Sequence, residues 1–155
     1  MFFPSNVYPY TWYLAPLVSV VLVLVVSFLA NRISFGPSVG ARLGNALLKV
    51  IIHAPIFLVL RMAYLMYLAW PAYTRQTTSP TVIDFIARRA PEIAPSVGLS
   101  AAFFLVVALV ANAIARSDRG RNVWVTGLVF ALAYGGFVYL ARTNMAVGMV
   151  VEAFF

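Results

Sequence analysis

The sequence predicts an all-α integral membrane protein: a bundle of four transmembrane helices joined by short loops, with both termini outside. Three observations lead there. Of 155 residues, 63% are hydrophobic and only 10% charged, against about 45–50% and about 25% in a soluble domain. Four windows are long and apolar enough to cross a bilayer, which takes roughly 20 residues of helix. The basic residues collect in alternate loops. A soluble fold of this size leaves too much surface exposed to hide so many apolar side chains. Lipid also demands that every backbone group be paired, and four short spans are too few for a barrel.

The windows fall at residues 12–30, 50–70, 96–115 and 123–140, within a single membrane domain covering 1–155. The first is rich in valine, which in lipid does not argue for strand. No basic region precedes it, so it reads as a retained span rather than a secretion signal. Turn residues follow between Asn31 and Gly40. The helix of the second window can begin as early as Arg42. Pro71 closes that window, while Pro91 and Pro95 precede the third, where proline suits a helix start. Between them lies an outer loop over 74–95, in which 81–89 mixes apolar and charged residues as a short surface helix would. Ser117 to Asn122 makes a tight polar turn, so the third and fourth spans should form an antiparallel hairpin. The tail 143–155 is apolar but too short to span; it can extend the fourth helix, lie on the membrane surface or dock on a partner.

Orientation follows from the bases. Ten of the eleven are arginine. The loop after the first span holds Arg32 and Arg42, with Lys49 at its far end, and that after the third holds Arg116, Arg119 and Arg121. The segment before the first span has none. Positive charge marks the cytoplasmic side, giving N-out and C-out. Arg88, Arg89 and Arg142 pull against this assignment. Tyr8, Tyr10, Trp12 and Tyr13, then Tyr64, Tyr67, Trp70 and Tyr73, fit an aromatic belt at the outer interface, and Trp124 fits the inner one.

The second span carries the candidate chemistry. Asn45, Lys49 and His53 recur every four residues and share one helical face. Tyr64 and Tyr67 lie on the same side, with Arg61 at its edge. Arg61 falls near the middle of the 50–70 window, where a charge costs at least about 2.5–3.5 kcal/mol. Lys49, His53 and Arg61, with Tyr134 from the fourth span, are therefore candidates for holding an anionic group: a lipid phosphate, an anionic substrate or a carboxylate of another subunit. The simpler alternative is that Arg61 satisfies carbonyls or a tyrosine within the bundle. Pro55 should bend the helix between His53 and Arg61. Asn112 is expected at the depth of His53, within hydrogen-bonding reach. Gly127, Ala131 and Gly135, with Gly136 beside them, form a small-residue stripe that lets another helix approach closely.

Several classes are excluded or weakened. With no cysteine and one histidine, the chain offers no disulfide, no thiolate centre and no metal site of ordinary composition. No phosphate-binding loop and no intramembrane carboxylate pair is visible. The four acids, Asp84, Glu92, Asp118 and Glu152, all fall outside the windows, which leaves a proton-coupled carrier without its usual acid. The net charge of +7 is explained by loops and lipid headgroups rather than nucleic acid. The expected function is that of a small, non-catalytic accessory subunit of a larger membrane complex in a bacterial cytoplasmic (inner) membrane. Its partners would be other membrane subunits and phospholipid, with no cofactor beyond bound lipid. The alternative is a small homo-oligomeric transporter or lipid-handling protein that binds an anion at Lys49, His53 and Arg61. A membrane enzyme acting on lipid or quinone ranks last.

Overall fold

The computed structural model describes residues 11–33, 38–115 and 119–144, excluding the side chains of 11–16, 39, 119, 141 and 142. These residues form four helices: α1 Thr11–Arg32, α2 Val39–Gln76, α3 Val82–Ala115 and α4 Arg119–Thr143. Three, α2, α3 and α4, contain stretches long and apolar enough to cross a membrane. In α1 the stretch Leu17–Arg32 is apolar but shorter. The outward surface is that of a protein in lipid. Val21, Ile51, Val59, Val106, Leu128 and Leu132 are each more than half exposed, at positions where a soluble bundle would carry polar residues.

The helices form a ring, with α1 packed on α2 and α4, and α3 packed on the same two. Leu22, Val23 and Val26 of α1 meet Phe57 of α2, Phe104 and Val107 of α3, and Phe130 and Tyr134 of α4 in the central core. The aromatics stack in part: Phe130 lies 5.6 Å from Tyr134, and Phe103 meets Phe130 edge-on at 5.7 Å. In lipid this core is held by close packing rather than by exclusion of water. At Gly127 a Cβ would come within 2.5 Å of Leu24 Cδ2, so the absent side chain lets α1 and α4 approach.

Helix length separates the two pairs. At 1.5 Å per residue, α1 and α4 are about 33 and 37 Å long, and α2 and α3 about 57 and 51 Å. At one end of the bundle α1 and α3 finish and α2 and α4 begin. There the Asn112 side chain, near the end of α3, reaches Arg42 near the start of α2, and Asn122 near the start of α4. The excess length of α2 and α3 therefore projects at the other end as a two-helix hairpin. The hairpin has its own core of Met62, Phe85 and Ile93, flanked by Leu65, Met66, Trp70 and Tyr73. Phe85 packs edge-on against Trp70 at 5.8 Å and Tyr73 at 5.3 Å.

This hairpin corrects the expectation of an outer loop over 74–95. The helices continue instead, leaving a turn of only a few residues between Gln76 and Val82. Local chemistry explains the start of α3. The Thr81 hydroxyl oxygen accepts from the Asp84 backbone N–H at 3.1 Å, and its proton goes to the Asp84 carboxylate at 2.5 Å, which caps the helix fourteen residues before the apolar window opens. Pro71, Pro91 and Pro95, expected at helix boundaries, lie inside α2 and α3; near a rim, neighbouring groups re-satisfy the freed backbone. At the opposite end of α2, Ser38 caps the helix by accepting from Ala41 N–H at 3.2 Å, so α2 begins at Val39 rather than at residue 50. The tail from 145 to 155, Tyr8, Tyr10, and Arg116 to Asp118 lie outside the described residues.

Candidate functional site

Lys49 is the charge that the fold buries completely, with 0% of its surface exposed. Its Cα–Cβ bond points toward the start of α2, as in any α-helix, and the stem carries the ammonium toward the end where α2 and α4 begin and α3 finishes. Three side-chain oxygens meet Nζ there: Asn112 Oδ1 at 3.3 Å, Thr126 Oγ1 at 3.2 Å and, in the closest contact, Asn122 Oδ1. The acceptors are themselves tied together. Asn122 Nδ2 donates to Asn112 Oδ1 at 2.9 Å, Asn112 Nδ2 donates to the Arg42 carbonyl at 2.9 Å, and the Thr126 hydroxyl donates to the Asn122 carbonyl at 2.7 Å. All three residues are buried. One amine thus knots α2 to α3 and α4, crossing the ring to reach α4. Among the described residues no carboxylate takes part.

His53, one turn further along α2, sits in a separate layer. Its Nε2 is 3.1 Å from Ser100 Oγ of α3. The ring stacks on Phe57 at 5.6 Å and lies tilted 4.6 Å from Phe104. At a similar height on the other helix pair, Tyr134 is hydrogen-bonded to Ser19 of α1. The layer therefore consists of two polar pairs, one for each helix pair, enclosed by aromatic rings. Asn112 was expected to reach His53; it reaches Lys49 instead, because Ser100 lies at the height of His53 and Asn112 three turns nearer the knotted end.

Arg61 lies about 33 Å along α2, next in sequence to Met62 of the hairpin core. It is half-buried and interacts electrostatically with Tyr64, one turn on.

The candidate residues thus divide among three places. Lys49 belongs to the knot, His53 and Tyr134 to the aromatic layer, and Arg61 to the stretch of α2 that leads into the hairpin. Of the glycine stripe, Gly127 packs on α1, whereas nothing lies within 4 Å of a Cβ built at Gly135 or Gly136; Ala131 between them is half-buried. Asn122 and Thr126 escaped the sequence reading because Asn122 reads as a turn residue. The signal was present: Asn122 and Thr126 are four apart, like Asn45, Lys49 and His53, and both helices begin just before these polar positions. Among the described residues no cluster of His, Asp and Glu suited to a metal ion occurs.

No protein-family model matches the chain, no curated protein matches it, and no solved structure matches it.

Proposed function

We propose that this chain is a four-span membrane protein, N-out and C-out, acting as a small non-catalytic subunit of a larger membrane assembly. The observation that carries this reading is the saturation of Lys49. An ammonium has three donors, and here all three are directed at side chains of the same chain. One of the three candidates for binding a mobile anion is thus engaged in joining helices. His53 is likewise engaged, with Ser100. An anion path along Lys49, His53 and Arg61 would need the first two released.

The remaining elements fit the same role. α1 matches α4 in length closely enough to cross beside it. The knotted end carries Arg32, Arg42 and Arg121, which supports a cytoplasmic placement under the positive-inside rule, in a bacterial inner membrane and in contact with anionic phospholipid headgroups. Arg61 and the projecting α2–α3 hairpin then stand at the outer face. There Tyr67 and Ile83 are 75% and 78% exposed and available to other membrane subunits.

The test is the mass of the assembly extracted gently from its native membrane, with bound polypeptides and lipids identified. The expected result is a complex of fixed composition containing other chains. A homo-oligomer or monomer that retains a stoichiometric anionic ligand overturns the subunit reading and favours transport or lipid handling.

A further inference from the structure

The orientation of the Lys49 knot is fixed by one backbone atom, and its charge state follows. The Arg42 carbonyl can only accept. Asn112 must therefore turn Nδ2 toward it, at 2.9 Å, which leaves Oδ1 facing Lys49 and Asn122. Since Asn112 Oδ1 also only accepts, Asn122 must present Nδ2 to it, at 2.9 Å. That turns Asn122 Oδ1 toward Lys49. Thr126 has a single hydroxyl proton, directed at the Asn122 carbonyl at 2.7 Å, with the Asn122 side-chain oxygen a more distant acceptor at 3.4 Å. Either way the hydroxyl offers Lys49 only a lone pair.

Among the described residues the cradle around Nζ thus presents three acceptors and no donor. A neutral amine has two N–H groups and one lone pair, so it would serve two acceptors and point its lone pair at the third oxygen. An ammonium serves all three. We infer that the Asn112–Asn122–Thr126 cradle is a binding site for a primary ammonium ion, occupied by the chain's own Lys49 side chain in its charged form. The inference is independent of the subunit reading, since it concerns the knot alone. It also reverses the chemistry expected of Lys49: this part of α2 receives a cation rather than an anion.

Lys49 is the only lysine in the sequence, so labelling with 15N at the side-chain nitrogen gives a single reporter in the unmodified protein. The expected spectrum at neutral pH is that of a nitrogen bearing three protons that exchange slowly with water. A nitrogen bearing two protons overturns the inference. A second measurement probes the cradle emptied of its resident. Lys49→Ala should unfold at lower temperature than the parent, and n-propylammonium chloride should raise its midpoint by several degrees more than it raises the parent's. n-Propanol, of the same shape but uncharged, should not reproduce that difference. Equal responses to the two additives overturn the assignment of a cation site. Should Lys49→Ala not fold, the single-lysine spectrum of the parent decides the matter alone.

Discussion

The two ends of the bundle are closed by opposite means. At one end, three helices are tied by a hydrogen-bonded knot of Lys49, Asn112, Asn122 and Thr126. At the other, α2 and α3 continue alone and zip together through Met62, Trp70, Tyr73, Phe85 and Ile93. Within lipid, apolar contacts do not distinguish a neighbouring helix from an acyl chain, so polar contacts and close packing specify which helices pair. In the hairpin, beyond α1 and α4, aromatic side chains packed edge-on take the place of the polar knot.

The comparison breaks most visibly at Lys49. Lys49→Met keeps the stem and removes three donors; Asn112 Oδ1 still accepts from Asn122 Nδ2, whereas Asn122 Oδ1 loses its closest donor. A buried acceptor left alone costs about 1–3 kcal/mol in water-soluble proteins, while hydrogen bonds measured in membranes average about 0.6. The expected loss is therefore about 2–4 kcal/mol, read by unfolding in mixed micelles. Asn122→Ala should cost about half as much, because Asn112 and Thr126 still hold the amine. A loss at Lys49 no greater than that of a lipid-facing control such as Leu132→Ala would remove the knot from the account.

Phe85→Ala tests the other end. Phe85 is 1% exposed, and large-to-small changes at such sites cost about 3–5 kcal/mol. Here the loss should be confined to the hairpin. Amide exchange should accelerate across 66–90, while the amides around Ala46 and Ala111 stay protected. Uniform acceleration would mean that the two ends form one cooperative unit.

A smaller effect separates two glycines eight residues apart on the same stripe. Gly127→Ala places a methyl group within 2.5 Å of Leu24 Cδ2. The end of a leucine can move, so the cost should be about 1 kcal/mol. Gly135→Ala meets nothing within 4 Å, and gains from helix propensity offset any loss. Thermal melts of the two variants should differ in that order.

The same contrast explains what the sequence disclosed. Helix content and the membrane character of three helices were legible, because apolar runs such as 101–111 and the outward valines and leucines need no tertiary information. The helix boundaries were not. Hydropathy locates the most apolar stretch, whereas Ser38 and Thr81 set where helices begin, and a cap lying among polar residues looks like a loop. Lys49 was legible as a candidate through its four-residue spacing from His53. Its partners were not, since Asn112 and Asn122 come together only when α3 and α4 fold back on each other. Burial was not legible either: Lys49, and not Arg61, is the cation that the fold buries completely.

The last prediction turns on that difference. Arg61 is half-buried beside Tyr64, and its long stem can carry the guanidinium toward headgroups. Arg61→Leu should therefore leave membrane insertion intact and shift the stability of the isolated bundle by no more than about 0.5 kcal/mol, as expected for a substitution outside a packed core. Under the subunit reading the same variant should lose partner chains during gentle extraction, because the hairpin face it borders is the part of the molecule that α1 and α4 do not cover. A variant that keeps its partners and its stability would show Arg61 to be an interfacial anchor to lipid. A variant that unfolds would show that Arg61, and not the lysine knot alone, holds the bundle together.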